Sequence, residues 1–425
     1  MASQSDENEK YGVYPIRWFV LATCALLQVA EIFCFLCYAP VANFTDAYYG
    51  NGSANLLSII FMAVSMPMAC VAIWSGRRFG LRPCLLFSAW AGAIGTGIKL
   101  FSTYPNSIAI KKLTVLVGQS VGAIGNPFGL MLSTKVAAVW FPSHQRALST
   151  SVLAMSSPLG VLMVNLVVPR AVLSPEDMML LNGISFAPSA LCAAMATLGV
   201  CRSTPRLPPS PSASVESPSL LDGLRLLLPS RTFWLLCFCF GGGTGIFNFL
   251  YTMMEQLLCS HGFHNAFAGL CVALLIASGL IGAIMAGFLA GRTGAFQLIS
   301  KLSISAAVLA GVLFCELLIA FQSPPMALLI LACLLLGICG MSFYAMALEM
   351  SAECLYPVDT TTTAGLFSVS ALLQGALIVL ILPMFSSPIL PQAFRYQLQL
   401  RNSARCHICG ILSAKISTHG NGTLS

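Results

Sequence analysis

The tetrapeptide VWFP, Val139 to Pro142, returns 215 residues later as CLYP, Cys354 to Pro357, and each closes an apolar run of helical length. The same offset carries Gly76-Arg77 onto Gly291-Arg292 and Gly160 onto Gly375. Chance recurrence of Gly, Arg and Pro would share neither one offset nor one position relative to the apolar runs. The chain therefore reads as two parallel copies of one unit.

Composition says what solvent those copies live in. The chain is 57% hydrophobic and 8% charged, with a mean hydropathy of +0.85, where soluble domains carry roughly 25% charged residues. An all-α polytopic membrane protein is the expectation, because a closed barrel would show short alternating strands instead. The first residues, Met1 to Arg17, are polar and mixed in charge, unlike a cleavable signal with its basic n-region. Most of the 17 cysteines lie inside apolar runs such as CFLC, Cys34 to Cys37, where cysteine serves as a small hydrophobe.

Eleven windows reach the roughly 20 apolar residues that a span needs. They are 18–41, 56–74, 81–101, 113–139, 148–168, 179–200, 232–258, 266–290, 299–321, 326–354 and 364–385. The expected organisation is an N-terminus over 1–17, an N-terminal six-helix half over 18–200 and a Pro/Ser-rich linker over 201–231. A C-terminal half of five spans over 232–386 and a divergent polar tail over 387–425 complete it. Lys and Arg gather in the loops that are cytoplasmic if the N-terminus is. Trp18, Trp74, Trp140 and Trp234 fall at those same ends, as an aromatic belt. The sequons at Asn43 and Asn51 fall in the first loop of the opposite side, where glycosylation occurs. The offset predicts a twelfth span near 394–415, but Arg395, Arg401 and Arg405 interrupt it, so eleven spans are expected.

Motifs along the chain carry a family resemblance. They include GRRFGLRPC, CYAPVANF, VAAVWFPSHQRALST, LAMSSPLGVLMVNLVVP, MMEQLLCSHG and EMSAECLYPV. Together they resemble solute carrier family 49, the feline leukaemia virus subgroup C receptor-related transporters of the major facilitator superfamily. The resemblance covers about 16–384. It implies two six-helix halves with a solute site between them near the midplane, and secondary active or facilitative transport of a small organic solute by alternating access. Relatives are described as carriers of choline and ethanolamine, of haem, or of a B6 vitamin. A non-transporting truncated or receptor-like protein is the alternative. The aromatic cage and glutamines of choline-type relatives map onto Phe35, Asn248, Asn126 and Leu372, and the acids of the two loop motifs are replaced by Arg77 and Gly291.

Polar residues within spans are costly and usually functional. On span one, Gln28, Glu31 and Phe35 share a helical face, with Glu31 near mid-depth. Gln119 and Asn126 share a face of span four, Asn248 and Tyr251 step along span seven, and Gln374 lies on span eleven. These eight are the candidate solute-binding residues. Glu255 and Glu316 lie near outer ends and read as interface residues. Arg77, Arg78, Arg292, Glu349 and Glu353 are the candidate gating residues, with Glu349 and Glu353 expected to pair with Arg292. No Ser-His-Asp or metal-ligand constellation stands out, so neither an enzyme nor a cofactor or metal is expected. The expected partners are the lipid bilayer, the solute and a coupled proton. The chain is expected to be monomeric, in the plasma membrane rather than a lysosomal one, with no nucleic-acid partner.

Overall fold

The computed structural model describes residues 12, 14–205, 207, 225–321, 324–355 and 360–385. Eleven long helices occupy the described residues: α1 Ile16–Leu36, α2 Ser53–Phe79, α3 Leu81–Phe101, α4 Ile108–Trp140, α5 Ser143–Ala171, α6 Met178–Gly199, α7 Arg231–Cys259, α8 Asn265–Thr293, α9 Phe296–Ala320, α10 Met326–Cys354 and α11 Thr360–Phe385. Ten are long and apolar enough to cross a membrane, while α11 is apolar over the shorter stretch Gly365–Ile381. The predicted twelfth-span region and the tail lie outside the described residues. The described residues up to Ile378 form one compact unit.

The first span stops earlier than its apolar run suggests. Pro40 sits in a 3₁₀ turn, Ala39–Val41, and a short helix, Ala42–Tyr49, follows. Proline has no amide hydrogen to continue the helix, so the chain bends there. The return into α2 is built by Gly50 and Gly52, whose φ values of 102° and 72° suit a residue without a Cβ. Asp46 holds this turn by accepting from the amides of Gly52 (3.0 Å) and Ala54 (2.9 Å). A carboxylate at the start of α2 complements the helix dipole.

Packing inside the unit relies on small residues rather than on burial from water, since lipid is as apolar as leucine. Gly95 of α3 lies directly against the backbone of Gly118 and Gly122 of α4. Gly279 and Gly282 of α8 lie equally close to Gly337 and Ile338 of α10. Large apolar side chains turn outward instead: Leu198 is 80% exposed, Phe238 73% and Ile284 71%. That inversion of the soluble pattern is what a lipid-facing surface requires.

The repeated marks make matching contacts. Gly160 of α5 packs on Val29 and Ile32 of α1, and its partner by offset, Gly375 of α11, packs on Gly245 and Asn248 of α7. Both Gly-Arg pairs fall in the last turn or two of their helices, α2 and α8. One member of the expected aromatic belt moves. Trp18, Trp74 and Trp234 are exposed, but Trp140 is 6% exposed and packs with Phe141, Leu153 and Val136 in the core of the N-terminal half.

Candidate functional site

Helices α1, α4 and α7 carry most of the candidate solute-binding residues, and the three on α1 diverge. Gln28 is buried and accepts a hydrogen bond from Ser157 Oγ of α5 at 2.9 Å. Glu31 is 5% exposed and meets Ser88 Oγ of α3 at 2.5 Å, pressed against Gly129 of α4. Phe35 stacks on Phe61 of α2 with ring centroids 4.8 Å apart. A shared helical face does not open these residues onto a shared space, because three neighbouring helices divide that face. Gln119 of α4 is fully buried and donates to the Phe35 carbonyl at 3.3 Å, while its Oε1 has no partner.

A different group is left open. The side-chain amides of Asn126, a buried residue, and of Asn248 and the hydroxyl of Tyr251 make no hydrogen bond to any described residue. Beside Tyr251 stands Phe247, 5.9 Å away by ring centroid. On α10, Tyr344 lies 4.9 Å from Phe240 of α7, and its hydroxyl also lacks a described partner. The C-terminal half thus presents an aromatic wall with unused polar tips. Such rings attract organic cations through their faces. Gln374 serves another purpose, since its Nε2 donates to the Cys237 carbonyl (3.1 Å) and to Ser370 Oγ (2.9 Å), tying α11 to α7.

Contacts between the halves gather at the end opposite the linker. Asn43 and Asn265 exchange amide hydrogen bonds of 3.3 and 2.9 Å. Asn55 and Gln256 do the same at 3.3 and 2.6 Å. Glu255, 3% exposed, accepts from the Asn43 backbone amide at 3.4 Å. Glu255 is therefore a buried contact between halves, not a membrane-surface residue, whereas Glu316 is exposed. Beside them, Gly269 of α8 packs on Asn165 and Pro169 of α5. This clasp uses Asn43, where a glycan would replace one amide hydrogen and crowd the contact, while Asn51 is exposed.

At the linker end, Arg78 lies over the Trp74 ring at 5.8 Å and Arg292 over Phe288 at 4.2 Å. The side chains of Arg77, Glu349 and Glu353 lie outside the described residues.

Sequence reasoning missed a lysine. Lys99 of α3 has no exposed surface, and its Nζ donates to the Cys34 carbonyl at 2.6 Å and to Cys34 Sγ at 3.3 Å. The Tyr38 ring lies 5.4 Å away. The carbonyl belongs to the last turn of α1, where helical partners run out, so the ammonium caps that helix and meets its negative end. Asn182 extends the cluster by donating to the Lys99 carbonyl and to Tyr49 Oη and accepting from Tyr38. The signal was available: a lysine inside an apolar window is as costly as the glutamate that was noticed.

The family described as Major Facilitator Superfamily matches residues 21–383. The chain is 33% identical over 395 residues to solute carrier family 49 member A3 of Xenopus tropicalis, covering 91% of this chain and 81% of that one. It is 25% identical to a choline/ethanolamine transporter, flvcr2a, of Danio rerio, covering 85% of this chain and 79% of the relative. Among solved structures, a D-xylose-proton symporter shares the fold with a TM-score of 0.67 at 14% identity, covering 86% of this chain and 90% of that one.

Proposed function

Because the chain belongs to the major facilitator superfamily and, within it, to solute carrier family 49, we propose that this transporter moves a choline- or ethanolamine-like amine by alternating access. It is a secondary active or facilitative carrier of a small organic solute and not an enzyme. The observation that carries the amine reading is the pair of unspent polar groups on α7, Asn248 and Tyr251, with the rings of Phe247, Phe240 and Tyr344 in the same half. A ring face and an open amide or hydroxyl are what a small amine with a hydroxyl tail requires. Names of relatives supply the solute class, and the side chains here supply its fit.

In this reading the linker end is cytoplasmic, eleven spans cross the membrane, and the carrier works as a monomer at the plasma membrane with a proton as coupled ion. The clasp of Asn43, Asn265, Asn55 and Gln256 is the closed outer gate. Arg77, Arg78, Arg292, Glu349 and Glu353 belong to the inner gate. Gln28, Gln119 and Gln374 act by holding helices together, and Phe35 packs α1 on α2 through Phe61. Uptake of labelled choline and ethanolamine into cells that display the chain at their surface tests this. Saturable uptake that Asn248→Ala and Tyr251→Ala both weaken supports the reading; surface protein without uptake of either solute overturns it.

A further inference from the structure

We infer that Glu31, Ser88 and the carbonyl of Gly125 form a proton-binding site inside the N-terminal half, and that Glu31 carries the coupled proton. The coupling rests on the transport reading above; the site does not.

The three groups hold more acceptors than hydrogens. Ser88 Oγ, with no exposed surface, lies 2.5 Å from Glu31 Oε1 and 2.8 Å from the Gly125 carbonyl. One hydroxyl hydrogen cannot serve both. The second carboxyl oxygen, Oε2, is buried and meets no donor among the described residues. An ionised carboxylate only accepts, so as an anion Glu31 would rest in the membrane interior on a single shared hydrogen bond. Uncompensated buried charge is far more costly than a neutral polar group.

A proton on Oε1 resolves the arrangement. Glu31 then donates to Ser88 Oγ, and Ser88 passes its own hydrogen to the Gly125 carbonyl, so every hydrogen has an acceptor. The 2.5 Å separation is at the short end of the O–H···O range. On the α4 side the carboxyl lies hard against Gly129, where even a Cβ would collide with both carboxyl oxygens. The titratable groups nearest the carboxyl are the thiols of Cys24 on the same helix and Cys192 on α6. From α3 it meets Ser88 and from α4 Gly125 and Gly129, and no charged side chain among the described residues faces it.

Sealed in this way, the proton leaves only when α1 moves relative to α3 and α4. All three helices belong to the N-terminal half, so rocking of the halves as rigid bodies leaves the site shut, and coupling requires that α1 shift within its own half during the cycle.

Infrared spectroscopy of the full-length protein in lipid, with no solute added, reads the site directly. The wild-type minus Glu31→Gln difference is expected to contain the C=O stretch of a protonated carboxyl at neutral pH. Ser88→Ala should shift that band, since the carboxyl loses its acceptor. Gln at position 31 keeps the shape and donates to Ser88 Oγ, so the fold is retained. A difference spectrum with carboxylate bands alone, or a band that Ser88→Ala leaves in place, overturns the site. In proteoliposomes, an inward proton gradient should raise the initial uptake of labelled ethanolamine several-fold for wild type and not for Glu31→Gln. A gradient response retained in Glu31→Gln overturns the coupling. If the infrared band is present and no ethanolamine moves, the site stands and the transport reading fails.

Discussion

Asn43 and Asn265 face each other across the two halves of the chain and exchange amide hydrogen bonds, 3.3 Å in one direction and 2.9 Å in the other. A reciprocal amide pair satisfies two donors and two acceptors at once, and it exists only while the halves are together at this end. Cys259 Sγ donates to Asn265 Oδ1 at 3.2 Å, so a thiol reports on the same contact.

Replacing Asn43 with Ala should therefore loosen the clasp. Two neutral hydrogen bonds contribute about 1 to 2 kcal/mol together, which shifts the closed-to-open ratio by a factor of about 5 to 30. Peptide-level labelling of Cys259 by a membrane-impermeant maleimide should speed up in Asn43→Ala and in Asn265→Ala. Unchanged labelling in both variants would show that the pair does not hold the gate.

The same geometry separates the two sequons. A glycan on Asn43 would wedge the clasp apart, whereas Asn51 stands exposed on the turn beside it. Asn51→Gln is expected to remove one step of the glycosidase-sensitive mobility shift, and Asn43→Gln to leave that step in place.

Lys99 is expected to matter for stability. Lys99→Met keeps the length and removes the ammonium, leaving the Cys34 carbonyl buried without its donor. A buried acceptor left unsatisfied costs about 1 to 3 kcal/mol. The purified variant should unfold at a lower temperature than wild type by scanning fluorimetry, and an unshifted midpoint would count against the capping role.

Glycine positions offer a paired test of the packing. A side chain at Gly95 meets the backbone of Gly118 and Gly122, which has no rotamer to yield, while Gly287 has nothing within 4 Å of a new Cβ. Gly95→Val should cost upwards of about 1 to 3 kcal/mol through overpacking and sharply reduce folded yield. Gly287→Val should behave as wild type in size-exclusion chromatography.

Most of the architecture was legible in one dimension. Hydrocarbon forces every backbone group to pair within its own helix, so apolar runs of sufficient length are helices almost regardless of neighbours. The 215-residue offset of VWFP and CLYP, Gly76 and Gly291, and Gly160 and Gly375 needed no coordinates, and the last pair makes equivalent contacts on α1 and α7. The bend at Pro40 and the short helix after it were less visible, because Ala42–Tyr49 is too short for its own pattern to stand out.

The site was another matter. Sequence spacing put Gln28, Glu31 and Phe35 on one face and marked them all as polar or aromatic exceptions within a span, which they are. It could not tell which neighbour each would meet, because α1 packs against several helices and adjacent turns face different ones. Ser157 took Gln28, Ser88 took Glu31 and Phe61 took Phe35. Asn43 was a sequon by its tripeptide and a latch by its partner 222 residues away. Apolar runs by themselves determined where the helices of the described residues run, since that depends on the chain and its solvent. Which polar groups are spent on neighbours and which are left without a partner among the described residues was decided only by tertiary contact, since a hydrogen bond satisfied by another helix leaves no trace in the sequence of its own.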